Sequence, residues 1–154
     1  MSDAPLLPQA AITRTVLPQQ KRHQTQWAAQ FAVASELCKR GHEVAFTQGN
    51  HTPLADLMCI SPVTKTMYLV DVKGLSSRTA WLVKEKPARA LLFYVLAFVP
   101  KDGANRFFVV PQAEIGRLLA EYRASGIKYD PRHPSGFNWT QPAAFEGRWE
   151  TLPA

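Results

Sequence analysis

Three charged side chains in two apolar stretches of this chain have the types and spacing of a divalent-cation site. Asp71 and Lys73 lie near the end of the apolar run at residues 67–74, and Asp56 lies within the apolar run at residues 54–60. Successive side chains of a strand point to opposite faces, so Asp71 and Lys73 share one face of the predicted strand. A carboxylate in such a stretch is costly unless it is paired, hydrogen-bonded or bound to metal. We therefore expect Asp56, Asp71 and Lys73 to meet.

The charges of these three side chains do not balance. Two neighbouring carboxylates repel each other unless a cation lies between them, and Lys73 can neutralise only one of them. The remaining negative charge is suited to a divalent metal ion. The alternative is that Asp71 and Lys73 form an ion pair on an edge strand, which would protect the sheet from aggregation.

The elements that must position these residues can be predicted from the hydrophobic pattern. A helix is expected from Thr25, its predicted N-cap, to the stop at Gly41. Its expected apolar stripe has Gln30 on the inward flank, and consists of Trp27, Phe31, Ala34 and Cys38. Strands are expected at residues 43–47, 54–60, 67–74, 91–99 and 106–110, with a further short strand within 80–86. A helix follows at 111–124, then an irregular loop at 126–142 and a last short element at 145–152. The predicted fold class is α/β, with one domain whose central mixed sheet is flanked by helices.

Length and composition indicate one basic domain. The chain has 154 residues and a net charge of +6, which favours polyanionic partners, with nucleic acid first and a membrane surface second. Residues 1–23 are expected to form an extended N-terminal arm and residues 24–154 the domain. No apolar run approaches the roughly 18 residues of a membrane span, and nothing resembles a signal peptide, so we expect a cytoplasmic protein without membrane contact. Cys38 and Cys59 are interpreted as small buried hydrophobic residues.

The order of these features resembles a known nuclease family. A helix ending at Gly41, a strand, a loop with Pro53, Asp56 in an apolar run and the stretch Val-Asp-Val-Lys-Gly at residues 70–74 resemble the PD-(D/E)XK nuclease superfamily. The likeness covers residues 24–111 and is closest to small members related to Mrr-type and archaeal Holliday-junction resolvases. It implies a restriction-endonuclease-like core and a metal-dependent endonuclease that hydrolyses DNA phosphodiester bonds.

The resemblance also implies a role for individual residues. Asp56 and Asp71 match the two acids and, with Val72 as a further ligand, would hold Mg²⁺ or Mn²⁺. Lys73 matches the lysine that orients the attacking water or offsets developing negative charge. Gln30 stands where relatives commonly have a glutamate; it can hydrogen-bond a metal-bound water but adds no charge, so metal binding should be weaker than in a three-acid site. Two such sites in a homodimer could cut two strands.

Several basic and aromatic residues could contact DNA. The predicted phosphate contacts are Lys84, Lys86, Arg89, Lys21 and Arg22, although a solvated surface is their ordinary alternative. Three aromatic residues are expected either to stack on bases or to lie in the core: Trp81, Phe137 and Trp139. Three histidines are expected to lie in surface loops: His42, His51 and His133. Only His51 is near enough in sequence to reach the site.

The alternative function is a nucleic-acid-binding or protein-interaction module, immunity-like, that has the same fold but does not cleave DNA. The neutral side chain of Gln30 favours this alternative. Steep salt dependence of binding would distinguish DNA from an acidic protein partner.

Overall fold

The computed structural model describes residues 17–47, 54–126 and 135–154. Most of the predicted N-terminal arm, the loop with Pro53 and His51, and the part of the predicted irregular loop that contains His133 therefore lie outside the described residues.

Two helices and a mixed sheet make up the described part of the chain, as the hydrophobic pattern predicts. The helices are α1 (Pro18–Lys39) and α2 (Gln112–Ala124). The strands are β1 (Glu43–Phe46), β2 (Leu57–Ile60), β3 (Met67–Leu75), β4 (Trp81–Leu82), β5 (Leu92–Phe98), β6 (Arg106–Pro111) and β7 (Gly136–Phe137). The predicted last element consists of two short 3-10 helices, Ala143–Phe145 and Trp149–Thr151.

Five strands form the main sheet in the order β1-β2-β3-β5-β6. Only β3 and β5 run parallel, and the other neighbours are antiparallel. A parallel pair needs a long connection, usually a helix. Here residues 76–91 make this connection without a helix, and β4 within it pairs with β7 as a separate two-stranded sheet. The mixed α/β sheet is thus confirmed, while the short strand expected within 80–86 is limited to two residues.

The sheet separates two hydrophobic clusters. On one face, α1 packs on alternate residues of β3, which are Tyr68, Val70 and Val72, as the period-two pattern predicts. On the other face, α2 covers β5 and β6, and Tyr94 and Phe108 are buried beneath it. No helix among the described residues has the length and apolar character needed to cross a membrane.

Helix α1 differs from the prediction at its start. It begins at Pro18 rather than at Thr25, so residues 18–23 are helical and not part of an extended arm. Proline suits the first helical position, where its missing N–H would have no partner in any case.

The buried face of α1 also differs from the predicted stripe. Trp27, Phe31 and Cys38 are exposed. The face against the sheet consists of Ala29, Gln30, Val33, Ala34 and Leu37. Apolar residues cover two adjacent sectors of this helix, and the sheet accepts the sector whose small residues allow close approach. The inward position predicted for Gln30 is confirmed.

Two smaller predictions near the sheet are wrong. His42 is buried, and its Nδ1 lies 2.8 Å from the hydroxyl oxygen of Tyr68. Asp56 lies just before β2 rather than within a strand. The exposure of Cys38 leaves Cys59 as the one cysteine of the pair that is buried as predicted.

Candidate active site at the end of β3

The register between β2 and β3 brings the two acids together. The last pair of this ladder is Leu57 with Val70, and the N–H of Asp56 donates to the carbonyl oxygen of Val70 at 3.0 Å. Asp56 therefore lies beside Asp71, at the point where β2 begins; from there to Leu75, β3 is paired only with β5. The predicted meeting of the two acids has its physical origin in this antiparallel register.

The carboxylate of Asp56 compensates for the missing strand neighbour. Its Oδ2 accepts the N–H of Val72 at 2.7 Å, and its Oδ1 accepts the Nε2 of Gln30 at 2.8 Å. Beyond Val70, the N–H of Val72 has no β2 carbonyl opposite, and a buried N–H without a partner is costly. Asp56 and Gln30 are thus joined directly, whereas the sequence predicts that Gln30 hydrogen-bonds a metal-bound water.

Gln26 extends this pairing along the same edge of β3. Its Nε2 donates to the carbonyl oxygen of Val72 at 2.8 Å, and its Oε1 accepts the N–H of Gly74 at 3.2 Å. A side-chain amide thereby takes the place of a strand at the free edge. The sequence prediction did not include Gln26, although it precedes Gln30 by one helical turn and lies on the same face of α1.

Gly74 allows α1 to come this close. A Cβ added at Gly74 would lie 2.7 Å from the Cβ of Ala29 and 3.1 Å from the carbonyl oxygen of Thr25. A Cβ atom essentially never lies 2.7 Å from another heavy atom, so the glycine after Lys73 has a steric reason.

Asp71 is held by two lysines rather than one. Its side chain is 5% exposed, Oδ1 lies 2.5 Å from the Nζ of Lys73, and Oδ2 lies 3.0 Å from the Nζ of Lys86. Lys86, for which the sequence predicts a phosphate contact, is paired with this acid in the structure. The two acids and two lysines therefore carry balanced formal charges, which corrects the expectation that a single lysine leaves one carboxylate uncompensated.

The position of Lys86 is fixed by α2. Gln112, the first residue of that helix, is buried; its Oε1 accepts the N–H of Arg89 at 2.7 Å and its Nε2 donates to the carbonyl oxygen of Lys86 at 2.8 Å. These bonds hold the extended segment against the sheet and direct Lys86 towards Asp71. Hydrophobic pattern alone gives no signal for this contact.

Tyr94 forms the floor of the cluster. It is paired with Asp71 across the parallel β3–β5 ladder, and its ring centroid lies 5.8 Å from the Nζ of Lys73 and 5.9 Å from the Nζ of Lys86. Both ammonium groups are within the range of cation–π attraction. Burial and the negative charge of Asp71 raise the pKa of the Tyr94 hydroxyl, so it stays protonated.

The environment also shifts the ionisation of Asp56. Burial raises the pKa of its carboxyl, and the charge of Asp71 adds to this increase. The Val72 N–H and the two lysines act in the opposite direction, but they do not cancel the effect of burial. A further cation beside Asp56 would favour its ionised form.

The donor set fits a hard divalent cation held by two carboxylates. Mg²⁺ commonly binds to one or two carboxylates and keeps several waters. Asp56 and Asp71 carry oxygens of the kind that such an ion binds, and would be the residues to hold it; in this structure these oxygens contact Gln30, the Val72 N–H and two lysines. Within residues 17–47, 54–126 and 135–154, no group of three or more His, Cys, Asp or Glu side chains is arranged to hold a metal. The carbonyl of Val72, the further predicted ligand, accepts the hydrogen bond from Gln26.

The remaining predicted DNA contacts are exposed side chains. Lys84 and Arg89 are exposed on the segment that carries Lys86, and Lys21 and Arg22 are exposed on the first turns of α1. Trp81 and Phe137 are fully buried, which confirms their core alternative.

Comparison with known proteins identifies no relative, because no protein-family model, curated protein or solved structure matches the chain. The functional argument therefore depends on the geometry of the site.

Proposed function

We propose that this protein is a metal-dependent endonuclease that hydrolyses DNA phosphodiester bonds. The observation that supports the proposal is the convergence of Gln30, Asp56, Asp71 and Lys73 at the end of β3. These residues come from a helix, a turn and a strand, and sequence separation alone does not bring them together.

In this proposal Asp56 and Asp71 hold Mg²⁺ or Mn²⁺. When bound, such an ion polarises the scissile phosphate and lowers the pKa of a coordinated water. Gln30 fixes the orientation of the Asp56 carboxylate through its 2.8 Å hydrogen bond. Lys73, beside the acids, orients the attacking water or offsets the negative charge that develops on phosphate oxygens.

Lys86 is a further cationic group in the proposed site. Its ammonium contacts Asp71, and its carbonyl is anchored by Gln112. Because the backbone is fixed while the side chain is long, the ammonium can turn from Asp71 to a phosphate oxygen when Asp71 is neutralised by another cation. The predicted phosphate contact and the observed ion pair then belong to two states of one side chain.

A second candidate function follows from the balance of charges. Asp71 already has two lysine partners and Asp56 has two neutral donors, so the cluster is satisfied without metal. This supports a module on the same fold that binds nucleic acid or a protein and does not cleave.

The test is a cleavage assay in Mg²⁺ and in Mn²⁺ on linear, supercoiled and branched DNA. We expect Asp71→Ala and Lys73→Ala each to abolish cleavage while leaving DNA binding in EDTA largely intact. Lys101→Ala and Asp102→Ala, exposed in the turn before β6, are the matched controls for loss of each charge. Wild-type cleavage by either site variant would refute the mechanism. Absence of cleavage by the wild-type protein, with salt-dependent DNA binding, would favour the second candidate, and sedimentation would test the proposed homodimer.

A further inference from the structure

An exposed aromatic cluster lies beside the candidate active site. Trp27, Phe31 and Phe46 are 48%, 59% and 41% exposed. The rings of Trp27 and Phe31 are stacked, with centroids 5.7 Å apart and planes 27° from parallel, and the ring of Phe46 lies 5.3 Å from that of Phe31. Three large rings in contact form a continuous apolar surface, and such surfaces commonly mark binding sites.

Each ring is connected to the site through its neighbour in sequence. Trp27 directly follows Gln26, whose amide pairs with the edge of β3. Phe31 directly follows Gln30, which donates to Asp56. One step along α1 turns by about 100°, so the aromatic surface is the next face of the helix after the face that supports the site.

Phe46, on the sheet, is connected to the backbone at Asp56 through the next residue in sequence. It precedes Thr47, whose Oγ1 donates to the carbonyl oxygen of Ala55 at 2.6 Å and whose N–H donates to that of Asp56 at 2.9 Å. The backbone that carries Asp56 is thereby tied to the strand that carries the third ring.

The charges around the cluster favour an anionic partner. Residues 17–35, which span most of α1, contain no aspartate or glutamate. Lys21 and Arg22 are exposed in the first turns of the helix, and neither forms an ion pair with another residue in the described part of the chain. A partner with planar apolar groups and negative charges matches both features.

We propose that Trp27, Phe31 and Phe46 stack on unpaired bases of single-stranded nucleic acid and present the adjoining backbone to the candidate site. This inference rests on the proposed function and narrows its substrate class. Bases in a duplex are stacked on each other and offer only their edges, whereas unpaired bases offer faces on which aromatic side chains stack. Lys21, which lies about 80° from Phe31 around the helix, contacts a phosphate of the same strand.

The experiment measures binding of a fluorescein-labelled 20-nucleotide oligothymidylate and of a 20-base-pair duplex, by anisotropy in EDTA. Stacking on aromatic side chains typically contributes about 1–3 kcal/mol per base, and 1.4 kcal/mol is a factor of ten. We expect Trp27→Ala to weaken binding of the single strand by about tenfold and to change duplex binding by less than about twofold. Trp27→Leu should lose as much as Trp27→Ala, whereas Trp27→Phe should retain most of the affinity.

Val63→Ala is the matched control for loss of an exposed apolar side chain. Val63 is 77% exposed in the turn between β2 and β3, at the ends of those strands that lie away from the acids. This variant should bind both oligonucleotides as the wild-type protein does. The intrinsic tryptophan fluorescence of the wild-type protein should be quenched by the single strand, and Trp27→Phe should lose this quenching.

Three results would overturn the proposal. Full single-strand affinity in Trp27→Leu would show that the indole contributes only apolar area. Equal losses for the single strand and the duplex would exclude recognition of unpaired bases. Unchanged DNA binding combined with loss of a wild-type dimer in Trp27→Ala, measured by sedimentation velocity, would assign the cluster to a second copy of the chain.

Binding in EDTA also separates this proposal from the proposed function. Failure of stacking together with metal-dependent cleavage would overturn the stacking proposal alone. Selective single-strand binding without cleavage would overturn the nuclease proposal alone.

Discussion

Replacing Gly74 by alanine tests whether α1 must approach the end of β3 for the candidate site to form. The added Cβ would lie 2.7 Å from the Cβ of Ala29, 3.1 Å from the carbonyl oxygen of Thr25 and 3.3 Å from the Oε1 of Gln26. The Cβ of Ala29 and the carbonyl oxygen of Thr25 cannot move unless the helix backbone moves. Relief of these two contacts therefore requires movement of α1 itself. That movement would also weaken the two hydrogen bonds from Gln26 to the edge of β3.

The expected cost follows from these contacts. Overpacking of a tight contact costs about 1–3 kcal/mol, and weakening two hydrogen bonds adds about 1 kcal/mol or more. We expect Gly74→Ala to lower the free energy of unfolding by about 2–4 kcal/mol. With a urea dependence of about 2 kcal/mol per molar, the unfolding midpoint should fall by about 1–2 M.

The assay is urea unfolding followed by far-ultraviolet circular dichroism. Gly116→Ala in α2 is the matched control, because the added Cβ would meet the side chain of Glu85, with Oε1 at 3.0 Å and Cδ at 3.9 Å, and that flexible side chain can move away. Alanine also has the higher helix propensity, by about 1 kcal/mol, so Gly116→Ala should be neutral or stabilising. The double variant Gly74→Ala with Ala29→Gly removes the closest contact and should be destabilised by less than the sum of the single changes. Strict additivity, or equal effects of Gly74→Ala and Gly116→Ala, would refute the steric argument.

Three further predictions concern titratable and polar groups. Gln30→Glu should lower the thermal midpoint in EDTA, because a third carboxylate would face Asp56, and should increase the stabilisation by Mn²⁺; an unchanged Mn²⁺ titration would place residue 30 away from the ion. The raised pKa of Asp56 means that ionisation of its carboxyl group in the folded state costs stability. In EDTA, Asp56→Asn should therefore become more stable relative to the wild-type protein as pH rises from 4 to 7. Urea midpoints of the two proteins that diverge in the opposite direction would contradict this prediction. Burial lowers the pKa of His42 below its ordinary value of 6.5, so the folded state resists protonation of this side chain. Between pH 7.5 and 5.5 the wild-type protein should therefore lose more thermal stability than His42→Gln. Equal losses would show that His42 titrates normally.

The sequence determined the elements and the meeting of the two acids. The apolar runs that become β3, β5 and β6 are long and bounded by turn residues, so their pattern has one interpretation. Asp56 and Asp71 interrupt such runs, and the cost of burying a lone carboxylate indicates that they must find partners. The sequence also shows the glycine that follows Lys73 and predicts the inward position of Gln30.

Tertiary structure decided which face of α1 is buried and which side chains complete the site. The apolar residues of α1 cover two adjacent sectors, and the helix pattern favoured the sector with Trp27 and Phe31. The sheet instead accepts the sector with Ala29, because Gly74 leaves room there for the methyl group of Ala29. The rings are therefore exposed beside the site.

The partners of the acids were likewise beyond the hydrophobic pattern. Gln26 pairs with β3 only because β2 starts too late to cover the edge beyond Val70. Lys86 reaches Asp71 only because Gln112 holds its backbone from a distant helix. The side-chain amides of Gln26 and Gln112 both satisfy backbone groups that have no strand or helix partner. Such groups are identified only when the ends of neighbouring elements are known. Local periodicity records which residues are apolar, whereas the hydrogen bonds left open at strand ends are a property of the assembled sheet.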